Sequence, residues 1–409
     1  MRRLLAVLIA VGMSVVAANE VEVFHWWAGD EGPALQALIE VFEEQYPEIT
    51  VNDAAVTGGA GVVARAVLRT RMLGGQPPDT FQVHAGDELI LTWVVADRME
   101  DLTFLFEEEG WLDVLSPDLI ELISTPEGIW SVPVNIHRSN VMWYVPENLE
   151  QWGVEVPETW DAFLEICPTL QAEGVTPLSL GEAWTVVHLW ESVALAAMGP
   201  DQYSQLWTGQ LPFDSPAGVE AWELFGEILE CTNPDASGLS WQQATDLVVD
   251  GEAAFNVMGD WAAGYMYTTL ELEPGTGFGW AASPDTEGVF MVLSDSFGLP
   301  RGAPNRDNAI AWLRVSGSLE GQDTFNPIKG SIAPRLDSDL DLYNAYLQDA
   351  AADFAVDRQV GSLMHGTVGS DPFRDNFFLA LDVFYDTGRN AQAAASAAQA
   401  VALQFGVGR

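Results

Sequence analysis

Apolar residues at Val21, Val23 and Phe24 read as a short strand. After Pro33, Leu35, Leu38, Ile39, Phe42 and Tyr46 recur at helical spacing, the pattern of an amphipathic helix with proline in its first turn. The alternation continues with strand-like 49–55, helical 61–73, strand-like 80–84 and helical 87–96, divided by joints such as Gly58-Gly59 and Gly74-Gly75-Gln76-Pro77-Pro78. Strands alternating with helices predict right-handed βαβ crossovers and a parallel sheet. The run IWSVPVNIHRSNVMW at 129–143 is strand-prone without a helix and is the expected first crossing between two domains. Mixed helix and short strand follow over 159–315, composition changes at 283–300, 337–344 is polar, and 375–405 is alanine-rich and helical. No internal repeat is evident, so a solenoid is set aside. A chain of 409 residues has room for two domains of ordinary size.

The apolar pattern at the start differs in kind. MRRLLAVLIAVGMSVVAA, residues 1–18, has a basic beginning, an apolar run and small residues at its end, as a cleavable secretory signal does. Val16 and Ala18 suit the cleavage positions before Asn19, and no cysteine stands there for lipid attachment. The mature chain is expected to be exported and soluble. Its formal charge would move from −44 to about −46, because Arg2 and Arg3 lie in the discarded segment. A hydrophobic fraction of 48% and 16 tryptophans exclude a disordered acidic chain. The charge disfavours nucleic acid and anionic lipid as partners. Acid-rich, lysine-poor surfaces stay soluble at high salt, so a saline or otherwise extreme habitat is expected. Stability and solubility independent of salt up to molar concentration would overturn that expectation. Two cysteines, Cys167 and Cys231, are expected to form one disulfide in an exported chain, the alternative being two buried free thiols.

Candidate chemistry begins where the first strand meets the first helix. Trp26 and Trp27 stand at the carboxyl end of the strand, where open α/β sheets place ligands, and Asp30 and Glu31 follow. Indole stacks on the C–H faces of a pyranose and carboxylate accepts from its hydroxyls. Both indoles could instead be core, but successive strand residues face opposite ways, so one surface does not absorb both. Gln82 and His84, two apart at the end of a strand, share a face. Lys329, in NPIKGS, is the single lysine of the chain, and its three donors suit two or more sugar hydroxyls. His25, His137 and His188 have no paired ligand at helical or strand spacing, so no metal site is expected. Gly59 to Ala64 fits G-x-G-x-x-A, but an exported protein has little access to a dinucleotide, and a tight turn into a helix is the better account. Asp337, Asp339 and Asp341 lack the Gly and Glu that complete a calcium loop.

VMWYVPENLEQWGVEVPETWDAF at 141–163, GEAAFNVMGDW at 251–261 and the stretch from Asp295 to Arg335 ending in KGSIAPR resemble extracellular solute-binding proteins of ABC sugar importers, the maltose-binding-protein group. HWWAGDEG, TFQVHAG and LVVDGEAAFNVMGDWAAGYM resemble more closely the subset binding glucose and galactose. The resemblance spans most of the mature chain. It implies two discontinuous α/β lobes joined by hinge strands, with a sugar cleft between them. The expected division is 19–133 plus 295–336 for the first lobe and 134–294 plus 337–409 for the second. It also implies a monosaccharide ligand, a permease driven by a cytoplasmic ATPase, a periplasmic location, a monomer, and neither catalysis nor a cofactor. Trp26, Trp27, Glu31, Asp295 and His365 match the family's ligand-binding positions, Trp241, Gly259, Asp260 and Trp261 would come from the second lobe, and Gln82, His84 and Lys329 complete the candidate ligand residues. For Glu31 the alternative is an early-turn acid on the helix dipole, for Asp260 a helix N-cap, and for His84 and His365 a structural histidine. Two other functions stay open: a secreted glycoside hydrolase, which needs a carboxylate pair spaced across the bond, and a receptor of the same architecture for a disaccharide, peptide or polyamine.

Overall fold

The structure, a computed structural model, describes residues 19–59 and 61–407; the secretory signal expected over 1–18 lies outside them. No helix of the described residues is long and apolar enough to cross a membrane. Strand β1 (Glu20–His25), helix α1 (Gly32–Gln45), strand β2 (Thr50–Ala55), helix α2 (Val62–Leu73) and strand β3 (Thr80–His84) open the chain as the hydrophobic pattern predicts. In α1 the buried residues are Ala34, Leu35, Leu38, Ile39 and Phe42, the single apolar stripe that a helix laid on a sheet must cover.

Three sheets carry the architecture. The first has the order β2, β1, β3, Asp295–Gly298, Ser131–Pro133. β1 pairs in parallel with both β2 and β3, whereas Asp295–Gly298 runs antiparallel to β3 and to Ser131–Pro133. The expected all-parallel sheet is therefore mixed. Its last two strands belong to stretches that travel between lobes, and one of them returns against the direction of β3. The second sheet orders Gly279–Ala282, Val141–Tyr144, Ala253–Val257 and Thr176–Ser179. Between them lies a small sheet of Arg358–Gly361, Val289–Leu293 and His137–Arg138. The chain thus passes from the first sheet through the small one to the second over residues 131–144, and returns over 289–298. These are two α/β lobes joined by hinge strands.

Two elements differ from the pattern. The stretch read as helical over 87–96 is a π-helix, Glu88–Val94, with Val95 N–H donating to the Ile90 carbonyl. Its start is pinned from outside. Gly86 (φ +113°) lies so close to Thr367 that a Cβ would fall 2.4 Å from the Thr367 carbonyl oxygen, and the Glu88 side chain is bonded to His84 and Arg374. The C-terminal helical stretch is two helices, Asp371–Asp386 and Ala391–Phe405, separated at Gly388 (φ +69°). Arg389 (φ +64°) shares that left-handed turn, which glycine adopts at Gly388 without the steric cost a Cβ brings.

Cys167, on helix Trp160–Ala172, is bonded to Cys231, with Cα atoms 6.1 Å apart and a sequence separation of 64. Cross-linking a loop of that length removes conformational freedom from the unfolded chain, so Cys231→Ser is expected to lower the free energy of urea unfolding by about 4 kcal/mol. A loss below ~1 kcal/mol would show that the bond restrains little of the unfolded ensemble.

Candidate functional site

Both lobes contribute to one narrow pocket, lined by Trp26, Trp27, Glu31, His84 and Lys329 on one side, Trp241, Trp261 and His365 on the other, and by His137, Leu293 and Asp295 of the hinge strands. Its free volume is about 30 Å³, room for a few waters at most. Opening of the lobes is the motion that would enlarge it.

β1 ends at His25, so the two indoles follow it on the loop into α1. Trp27 turns inward, edge-on to Phe297 and tilted against Phe325. It is core and pocket wall at once. Trp26 lies against His84, with ring centroids 5.1 Å apart, and Arg65 sits over its ring. Gln82 is behind this wall: its Oε1 accepts from Trp26 N–H at 3.1 Å and its Nε2 donates to Asp295 Oδ1 at 2.7 Å. It positions the pocket without lining it. The second Asp295 oxygen accepts from Asn135 Nδ2 at 2.8 Å. Burial works to raise the Asp295 pKa, but the cationic fields of His84, His137 and Lys329 hold it below the ordinary value.

Lys329 ends helix Leu319–Lys329, followed by Gly330 in the left-handed region. That places the ammonium at the negative end of a helix dipole. Nζ is 2.8 Å from Glu31 Oε1 and lies 5.9 Å from the centre of the Trp27 ring. Burial works against its charge, yet Glu31 and Asp295 outweigh burial and hold the Lys329 pKa above the ordinary value. Burial lifts Glu31, and Lys329 opposes the rise. At 2.8 Å the two form an ion pair. The second lobe meets this corner closely: a Cβ on Gly264 would fall 2.4 Å from the Lys329 carbonyl oxygen.

From that lobe, Trp261 opens helix Trp261–Gly264 and Trp241 opens Trp241–Val249, which starts with a capping box at Ser240. Gly259 is needed by Trp261, because a Cβ there would stand 2.2 Å from the indole ring. Asp260 does not cap the helix it precedes. It bonds His137 Nδ1 and accepts from the Arg138 N–H at 2.9 Å, fixing a hinge strand. Gly259 and Asp260 thus support the wall and do not line it. The sequence reading missed His137 and Leu293 as lining residues. His137 Nε2 is 3.3 Å from Lys329 Nζ, and its one signal was membership of the strand-prone run at 129–143.

The statement that His188 lacks a partner at helical spacing is corrected. His188 and Glu191 stand three apart on helix Ala183–Trp207, and with His365 their ligand atoms fall within 4.8 Å of one another. Glu191 is already engaged: Oε1 accepts from Ser362 and Ser139 hydroxyls, and Oε2 from the Leu363 and Met364 N–H groups. The carboxylate is the hub that holds the His365 loop to the helix. His188 is pushed down to about 3 by burial, and burial with neighbouring His188 and His84 drives His365 well below its usual value. A neutral His365 offers one donor and one acceptor.

Burial pushes the Glu191 carboxyl up to about 7 against the four hydrogen bonds it receives. A carboxyl with a folded pKa above its unfolded value stabilises the fold fully below that unfolded value, and the stabilisation fades as pH rises through the folded one. Stability is therefore expected to decline between about pH 4.5 and pH 7, and Glu191→Gln to flatten that slope in thermal unfolding. An unchanged slope in the variant would assign it to another group.

Two α/β lobes closing on a single aromatic and polar pocket define a ligand-binding protein of the two-lobed, type II periplasmic class. Residues 27–323 match the family described as bacterial extracellular solute-binding protein. The chain belongs to that family, whose members bind solutes and are not enzymes. An uncharacterized ABC transporter extracellular-binding protein of Pyrococcus horikoshii is 34% identical over 363 residues, 87% of this chain and 81% of that one. A probable sugar-binding periplasmic protein of Rhizobium meliloti is 30% identical over 340 residues, 81% and 80% of the two chains. Among solved structures, the bacterial solute receptor AcbH, described as exclusive for β-D-galactopyranose, superimposes with a TM-score of 0.82 at 17% identity over 95% of this chain and 99% of its own. That likeness concerns the fold.

Proposed function

We propose that this chain is the sugar-binding component of an ABC importer, that it captures a monosaccharide, glucose or galactose, between its lobes, and that it hands the closed complex to a membrane permease driven by a cytoplasmic ATPase. One observation carries the reading. Four indoles, Trp26 and Trp27 from one lobe and Trp241 and Trp261 from the other, surround a space whose polar groups are Glu31, His84, His137, Asp295, Lys329 and His365. Indoles take the C–H faces of a pyranose, while the carboxylates accept from its hydroxyls and Lys329 donates to them. A ligand touching both lobes favours the closed state by its differential affinity. The family supports the role in import, and the named Rhizobium relative supports the sugar.

The lobes are proposed to divide at 133/134, 294/295 and 336/337, a reading supported by the first sheet, whose strands all come from 19–133 or 295–336. In this reading residues 1–18 direct export to the periplasm, and the protein works there as a monomer. Calorimetric titration with a panel of hexoses, pentoses and disaccharides tests the proposal. Saturable one-to-one binding of a hexose with the ligand recovered intact is expected. Preference for a pentose or disaccharide would correct the substrate, turnover of aryl glycosides would replace the function, and binding to no saccharide would end the reading.

A further inference from the structure

A second cavity, of about 480 Å³, is connected to the sugar pocket through Arg65, which lines it and sits over the ring of the pocket residue Trp26. Val62, Val63, Trp184, Met364 and Phe378 give it mostly apolar walls drawn from α2, helix Ala183–Trp207, the His365 loop and helix Asp371–Asp386. Two arginines, Arg65 and Arg374, also line it. Arg374 is engaged with Glu88 and Asp371. Arg65 is not: it is 4% exposed, and its Nη1 is fully buried without a hydrogen-bond partner among the described residues. A guanidinium taken out of water with no hydrogen-bond acceptor is costly, and here burial first, then the like charge of Arg374, push the Arg65 pKa down against the opposing fields of Glu88, Asp371 and Asp375.

The same spot is the start of a helix. α2 runs for 12 residues from Val62, its N-cap is Gly61 (φ +91°), and no side chain caps it. A Cβ on Gly61 would stand 2.8 Å from Arg65 Nη1 and 2.9 Å from the Trp26 ring, so the unpartnered nitrogen lies against the helix start itself. Backbone N–H groups and the positive dipole end at a helix N-terminus favour anions, and a buried guanidinium adds a fork of donors matched to an oxyanion. The acidic side chains at the rim are already engaged, Glu182 by Trp184 Nε1 and Asp375 by Arg69 Nη2.

We propose that this cavity is a second ligand site for an oxyanion, a carboxylate or a phosphate, bound between Arg65 and the start of α2. The anion is either free or a substituent of the sugar held on the far side of Trp26. Because residues of both lobes line the cavity, occupancy strengthens closure. The inference stands beside the sugar-binding reading, and only the substituent arm depends on it.

The test titrates the full mature chain, at fixed ionic strength, with inorganic phosphate alone, with its best neutral sugar, and with the phosphate ester and uronate of that sugar. The variants are Arg65→Gln and Val62→Glu; Val62 is exposed at the first helical position, so the second variant places a carboxylate at the site without touching Trp26. Saturable phosphate binding indicates a free anion, whereas tighter binding only of the charged sugars indicates a substituent. Either supports the proposal if both variants weaken it by about ten-fold or more. Absence of both effects in the unmutated chain, or unchanged anion affinity in both variants, overturns it. Neutral-sugar binding measured on the same preparations separates that outcome from failure of the proposed function, which would leave no saccharide bound at all.

Discussion

Lys329→Met is expected to weaken the best sugar by at least about 2 kcal/mol and to destabilise the fold by about 3–5 kcal/mol, as breaking a buried ion pair does. The two losses have separate origins. The ammonium is the buried cation nearest Glu31 and among the charges that offset Asp295, so without it two carboxylates in the pocket lose their compensation. For the ligand, three donors on a stem directed over Trp27 disappear. Adding Glu31→Gln to Lys329→Met should restore part of the stability, because a neutral amide needs no counter-charge, but none of the affinity. Urea unfolding and calorimetry on the two variants measure the split. A single variant that binds sugar as tightly as the parent would remove Lys329 from the site.

Arg374→Met is the second large effect, and it acts through the support of the pocket. Arg374 is 1% exposed; Nη1 donates to Glu88 Oε2 at 2.6 Å and Nη2 bonds Asp371. The same Glu88 oxygen is 2.8 Å from His84 Nδ1. One buried carboxylate therefore joins the pocket histidine to the C-terminal helix Asp371–Asp386. Removing the guanidinium takes from Glu88 and Asp371 their fully buried counter-ion, leaving His84 and the half-exposed Arg69 as their bonded partners, and an unfolding loss of about 3–5 kcal/mol is expected, with weaker sugar binding as His84 loses its anchor. Burial alone would raise the Glu88 pKa, but the charges of His84 and Arg374 hold it far below its ordinary 4.5. A depressed folded pKa gives stability that is present above the unfolded value and lost as pH falls. Acidification below about pH 4.5 should thus destabilise the parent steeply and the variant less, since Glu88 would titrate nearer its unfolded value. Equal acid slopes in both chains would place the acid sensitivity elsewhere.

Both predictions rest on residues that the sequence exposed unequally. Lys329 was conspicuous because the chain has no other lysine, and Trp26 and Trp27 because neighbouring indoles at a strand end are hard to bury on one surface. Glu88, Glu191 and Arg374 carried no such mark. Each lies in an amphipathic or mixed stretch where an acidic or basic residue reads as a solvated face, and each is buried because its partner arrives from far along the chain, 286 residues away for Glu88 and Arg374. His137 was passed over for the same reason. Its partners Asp260 and Lys329 lie 123 and 192 residues on, where no local spacing can indicate them.

Local pattern was sufficient for what local forces decide. The opening strand–helix alternation follows from apolar periodicity, the proline at the start of α1 from its fixed φ, and the disulfide from an even pair of cysteines in a chain expected to be exported. It did not decide the direction of the strands that close the first sheet, the π-helical turn at Glu88–Val94, or the division of labour among the candidate residues, in which Gln82, Gly259 and Asp260 stand behind the pocket while His137 and Leu293 face it. Those depend on which segments meet after the chain has passed back and forth between the lobes. Hydrophobic periodicity reports what a residue turns toward its own element, whereas the pairing of buried charges is fixed only when distant elements pack and exclude water.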